Sequence, residues 1–288
     1  MHAEKANHSI RMLCRVMRVS KAGYFAWRDR KPSARALEDE RLLSLIRSAH
    51  GESRGTYGSP RIFAELREQG ERTSMKRVAR LMREAGLQGI HRRKNGKQRA
   101  ALAALAARTY PDQVQRQFTA PAPDRLWLAD ITQHPTDEGW LYLAAVLDAC
   151  SLRIVGWSMA QSMSTELVVN ALNMAVLTRK PRVGVIHHSD RGSQYTALAF
   201  SEKLEQHGIV GSMGGVGTAH DNAMMEAFYA TLQTELLDRQ RWSSRAELRT
   251  AIFEFIEIFY NRQRRHSTLG MISPAEFERR YAQQQAAA

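Results

Sequence analysis

The stretch Val183-Gly-Val-Ile-His-His-Ser-Asp190-Arg-Gly-Ser-Gln-Tyr195 decides how this chain is read. An apolar run of strand length leads into an aspartate, and a second segment, Asp221-Asn-Ala-Met-Met-Glu226, opens a helical pattern with a glutamate in its first turn. Strand ends and helix starts are where a sheet can aim acidic side chains at a shared point. A third acid has a similar setting: Asp130 lies in the alternating run Leu126-Trp-Leu-Ala-Asp-Ile131. Fifty-nine residues separate Asp130 from Asp190, and 35 separate Asp190 from Glu226. Three converging carboxylates repel one another when ionised without a cation. Hard divalent cations take oxygen ligands, so an Asp/Asp/Glu set suits Mg²⁺ or Mn²⁺.

Outward from that stretch, the pattern predicts an α/β fold. Residues 126–132, 140–148 and 154–159 read as three strands joined by short connections, an antiparallel meander. A helix is predicted over 166–178, a fourth strand over 183–187, a helix over 197–206 and a short fifth strand at 209–210. Residues 212–220 form a glycine-rich loop without a following Gly-Lys-Ser/Thr, which argues against a nucleotide cradle and suits a mobile active-site loop. A long amphipathic helix is expected over 246–260, then the basic segment 261–266, a short helix opened by Pro274, and a disordered Gln/Ala tail. His187 and His188 are neighbours on a strand and so point to opposite faces, one free to orient a carboxylate while the other packs.

Residues 59–87 carry a helix-turn-helix pattern. Ser59-Pro60 reads as a helix start, Gly70 as its end, and Ser74 as the cap of a second helix that stops at Gly86. On that second helix Val78, Leu81, Met82 and Ala85 share one face, while Lys76, Arg77, Arg80 and Arg83 line the other. An apolar stripe to dock and a basic stripe to present is the design of a DNA-contacting helix. Arg92, Arg93, Lys94 and Lys97 follow in a segment too charged to build a core, which suits a phosphate-tracking linker.

Net charge is +13, carried entirely by the front of the chain: residues 1–120 hold 26 Lys and Arg against 11 Asp and Glu. Such a basic half points to a polyanion partner, because neutralised phosphates release counterions. The two cysteines, Cys14 and Cys150, form no metal-binding spacing and imply a reducing compartment. No apolar run is long enough to span a membrane and no signal peptide opens the chain, so a cytoplasmic location is expected.

Several motifs in order carry a resemblance. They are Trp127-Leu-Ala-Asp130-Ile-Thr132, Trp140-Leu-Tyr-Leu143 through Asp148, His188-Ser-Asp190-Arg-Gly-Ser-Gln-Tyr195, Asp221-Asn-Ala-Met-Met-Glu226 and Tyr260-Asn-Arg-Gln-Arg-Arg-His-Ser-Thr268. With them the chain resembles the OrfB-type transposases of bacterial insertion sequences, DDE enzymes of the retroviral integrase superfamily. The resemblance implies a ribonuclease-H-like catalytic core over residues 124–240. Around it lie an N-terminal helical segment (1–50), a helix-turn-helix region (51–90), a basic, proline-bearing linker (91–123) and a C-terminal helical extension (241–288).

It further implies catalysis by Asp130, Asp190 and Glu226 with two divalent ions. Asp148, another acid at a strand end, is left a structural hydrogen-bonding role. The expected partners are the element's terminal repeats, target DNA, further copies of the chain, and an upstream-frame protein or fusion segment; the bacterial nucleoid is the expected setting. Gln194, Tyr195, Arg262, Arg264 and Arg265 are read as further DNA contacts. Two departures from the family pattern stand out: Ala227 where serine is usual, and Gln233 where lysine is usual. A metal-dependent nuclease of the same fold and a non-catalytic DNA-binding repressor are the competing readings.

Overall fold

The computed structural model describes residues 8–90, 110–114, 118–214 and 223–287. Its centre is β1 (Leu126–Thr136), which pairs antiparallel with β2 (Gly139–Asp148) on one side and parallel with β4 (Ile186–Ser189) on the other. With β3 (Ile154–Ala160) beyond β2 and β5 (Val210–Met213) beyond β4, the strand order is β3-β2-β1-β4-β5. Hairpin connections suffice on the antiparallel side. The parallel side needs crossovers, which α6 (Thr165–Arg179) and α7 (Leu198–Gln206) supply.

Alternation along the strands sorts the two faces of the sheet. On one face Trp127, Ala129, Ala144, Val146 and Val155 pack with Leu167, Val168, Ala171, Leu172 and Ala175 of α6, and with Phe200 and Leu204 of α7. Gly156 on β3 lets α6 come close, since a Cβ there would collide with the Ala171 carbonyl oxygen. The opposite face carries Leu126, Leu128, Leu141, Leu143 and Leu147 against Met225, Phe228 and Leu232 of α8 (Ala223–Glu235). Asp130 follows Leu126 and Leu128 at even spacing, which puts it on the α8 side.

The amino-terminal third is helical: α1 (Ile10–Val16), α2 (Lys21–Arg28), α3 (Ala34–Glu52), α4 (Ser59–Glu68) and α5 (Met75–Glu84). Ser74 caps α5 by accepting from the Arg77 N–H, as its spacing predicts. For α4 the cap is Gly58 rather than Ser59, which becomes the first helical residue. Ile62, Leu66, Val78, Leu81 and Met82 join α4 and α5 to α3, and their cluster continues through Phe255 and Phe259 to the α8 face of the sheet. The helix-turn-helix region and the sheet therefore share one apolar core.

Three sequence expectations are corrected here. The fourth strand begins at Ile186 rather than 183, because Gly184 turns the chain at φ +96° and leaves Val183 82% exposed. The single helix expected over 246–260 is α9 (Arg245–Glu254) followed by a π-helical segment, Phe255–Tyr260. The tail expected to be disordered continues α10 (Pro274–Ala287), in keeping with the helix propensity of Ala and Gln. Among the described residues no helix is long and apolar enough to cross a membrane.

Candidate active site

Parallel pairing of β1 with β4 leads toward the first two acids. Residues 126 and 128 pair with 186 and 188, each 60 positions on, and 60 is also the separation of Asp130 from Asp190. Asp190 comes directly after β4, so continuing the same register would place it beside Asp130. Asp130 is half-buried and its Oδ1 accepts from the Ile131 N–H at 2.8 Å. Asp190 is exposed and its Oδ1 accepts from the Gly192 N–H at 2.9 Å.

Glu226 lies in the first turn of α8, exposed, and a residue one turn further on fixes that helix to the sheet. The Tyr229 hydroxyl donates to the Asp130 carbonyl oxygen at 2.6 Å. Tyr229 is absent from the residues singled out by sequence, although its three-residue spacing from Glu226 marks the same helix face.

The electrostatics link the three acids. Burial, then the Asp190 and Glu226 charges, push the Asp130 carboxyl up to about 7 against the opposing Ile131 hydrogen bond. All the donors are carboxylate oxygens, the chemistry a hard divalent cation prefers, and such a cation would relieve their repulsion. As placed, the set is not closed: among the described residues no three His, Cys, Asp or Glu side chains are gathered tightly enough to hold an ion.

Asp148 has a different environment. It is fully buried and accepts from the N–H groups of Asp124, Cys150 and Ser151 and from the Ser151 hydroxyl. The two histidines divide. His187 packs against Tyr195 and Phe200, with neither ring nitrogen hydrogen-bonded among the described residues, while His188 Nδ1 lies 2.9 Å from Ser212 Oγ.

Several expected DNA contacts are engaged elsewhere. Tyr195 is 2% exposed in an aromatic cluster with His187 and Phe200, so it packs rather than facing DNA. Gln194 donates to the Met163 carbonyl oxygen. Arg264 is buried in an ion pair with Glu235 at 2.7 Å, and Arg265 is buried between Glu65 and Glu68. On α5, Arg77 and Arg80 both pair with Asp39 of α3, leaving Lys76 and Arg83 exposed. Arg262 is exposed as well. Arg92, Arg93, Lys94 and Lys97 lie outside the described residues, as does most of the glycine-rich loop. Gln233, standing where lysine is usual, hydrogen-bonds to Asp238 in the turn after α8.

A mixed five-stranded sheet flanked by helices, with one acid on its central strand and a second directly after the neighbouring parallel strand, defines an integrase-type core. Residues 120–219 and 207–274 match integrase core domains, and residues 37–95 match an HTH-like domain. The chain is 43% identical over 276 residues to an uncharacterised 31 kDa protein of insertion element IS600 from Shigella sonnei, covering 94% of this chain and 99% of that one. It is 38% identical to the transposase InsF for insertion sequence IS3A of Escherichia coli, covering 95% of each. Solved structures that superpose on it include a simian T-cell lymphotropic virus intasome, at TM-score 0.45 and 12% identity over 81% of this chain and 74% of that one. The HTLV-2 integrase catalytic core domain in complex with magnesium superposes at TM-score 0.43 and 14% identity, over 55% and 98%. The chain belongs to the OrfB-type insertion-sequence transposases, DDE enzymes of the retroviral integrase superfamily.

Proposed function

We propose that the chain cuts and joins DNA strands at the ends of its insertion sequence, with Asp130, Asp190 and Glu226 as the catalytic acids. The observation that carries this is the parallel register of β1 with β4, residues 126–128 against 186–188, which when continued past β4 brings Asp190 level with Asp130, with the Glu226 helix tied to Asp130 through Tyr229. Asp130 and Asp190 would hold Mg²⁺ or Mn²⁺, two ions in the full site, and Glu226 would complete the set from its exposed position. A bound divalent cation supplies activation of the attacking oxygen and charge neutralisation at the scissile phosphate.

The protein's own part is placement. Asp130 is fixed through its backbone and the Ile131 N–H, Asp190 through the Gly192 N–H, and α8 through Tyr229. The attacking oxygen comes from water in cleavage and from a DNA 3′-hydroxyl in joining. In both, one P–O bond forms as the opposite one breaks. Lys76, Arg83 and Arg262 are the exposed cations assigned to DNA, with Arg92, Arg93, Lys94 and Lys97 on the linker. Residues 51–90 are assigned to DNA docking and 124–240 to chemistry. The terminal repeats, target DNA, further copies of the chain and an upstream-frame segment are the proposed partners, on the bacterial nucleoid.

A cleavage and joining assay on DNA carrying the element ends tests this. Asp190→Asn is expected to abolish both steps while sparing binding. Cleavage without joining of pre-cut ends would support the nuclease instead, and unchanged biological effect in Asp190→Asn would support a repressor.

A further inference from the structure

We infer that the helical hairpin formed by α1 and α2 is a second DNA-binding element, separate from α4 and α5 and gripping the phosphate backbone. The inference rests on the proposed action on DNA. Residues 8–31 hold seven Lys and Arg against one acid, Asp29, and that acid is bound by Arg28 at 2.7 Å. The other six cations are Arg11, Arg15, Arg18, Lys21, Arg30 and Lys31. All are exposed, and none has an ion-pair partner among the described residues. On α5, by contrast, Asp39 occupies two of the four cations.

The hairpin also lacks the means to stand alone. Its helices have 7 and 8 residues, well below the length at which an isolated helix is stable. Only Cys14 and Tyr24 are buried in it, while Met12, Val16, Met17 and Trp27 are each more than half exposed. Local hydrogen bonds nevertheless set its shape. Ser9 and Ser20 cap the two helices, and Arg18 makes the turn between them at φ +53°. Arg11 and Arg15, one turn apart, share a face of α1. Charge complementarity selects the occupant: six cations unpaired among the described residues, with the segment's one acid already held by Arg28, fit a polyphosphate backbone.

The test measures binding of the full chain to a labelled random-sequence duplex over a range of salt concentrations. The triple variant Arg11→Gln, Arg15→Gln, Arg18→Gln is compared with wild type and with Lys76→Gln, Arg83→Gln; thermal melting confirms that each is folded. The hairpin variant is expected to bind at least about tenfold more weakly, with a salt slope shallower by about 0.9 for each phosphate it no longer neutralises. Wild-type binding with an unchanged slope in the hairpin variant would overturn this inference and leave the proposed function standing. Failure of wild type to bind any duplex would remove both. If Met12→Ser, Val16→Ser dissociated an oligomer while the hairpin variant kept the wild-type slope, the hairpin would be a contact between copies and the inference would fail.

Discussion

Asp130 and Asp148 sit on neighbouring antiparallel strands of one sheet, yet their surroundings differ in kind. Asp148 is enclosed and receives four hydrogen bonds from the turn that follows β2 and from Asp124. Asp130 receives one, from Ile131, and is raised by the charges of two other acids, Asp190 and Glu226. Burial raises both carboxyls; at Asp148 the Asp124 and Ser151 donors oppose the rise ahead of the one charge, Asp124, that adds to it, whereas at Asp130 the Asp190 and Glu226 charges add to it against the single Ile131 donor. A carboxylate satisfied by its own turn serves the fold. One left short of donors beside like charges suits the cation-ligand role proposed for Asp130.

Substitution should separate the two. Asp130→Asn is expected to lower cleavage and joining by at least about a thousandfold, the several kcal/mol that metal-assisted charge stabilisation supplies, in a protein that remains folded. Asp148→Asn is expected to act on stability instead, by about 3 kcal/mol in denaturant unfolding, because its amide would confront buried donors. Equal losses of activity in two well-folded variants would erase the distinction.

A pH series sharpens it. The Asp130 carboxyl rises from the ordinary carboxylate range to about 7 in the folded chain, so the fold binds that proton more tightly than the unfolded chain does. Stability without divalent cations should therefore fall as pH rises from about 4 to about 7. Asp130→Asn should remove this loss and melt higher than wild type at about pH 8, with no such gain at about pH 4. A parallel pH dependence in wild type and variant would contradict the assignment. The smallest effect is expected for Tyr229→Phe, which deletes one hydrogen bond worth about 1 kcal/mol. Turnover should drop more than stability does, because the bond orients the Glu226 helix.

Much of the fold is legible in the sequence, as are the elements that carry or lead into the three proposed acids. Alternation locates β1, β2 and β3, because a period of two is a local property. Asp190 does follow a strand end and Glu226 does open a helix, but Asp130 lies inside β1, which runs on to Thr136. Partners distant in sequence are not legible. Arg264 and Arg265 read as free cations, since nothing near them announces Glu235, 29 residues earlier, or Glu65, 200 residues earlier. Tyr195 reads as a DNA contact because burial beside Phe200 depends on how α7 folds back over the sheet. Tyr229 carries a usable signal in its spacing from Glu226, but its acceptor is a backbone oxygen 99 residues away.

The central claim is that Asp130, Asp190 and Glu226 share one divalent-cation site. Calorimetric titration of the full chain with Mn²⁺ measures this directly. Wild type should bind the cation, and each of Asp130→Asn, Asp190→Asn and Glu226→Gln should weaken binding, while Asp148→Asn, in its folded fraction, should not. Binding that survives all three substitutions unchanged, or that disappears only with Asp148→Asn, would contradict it.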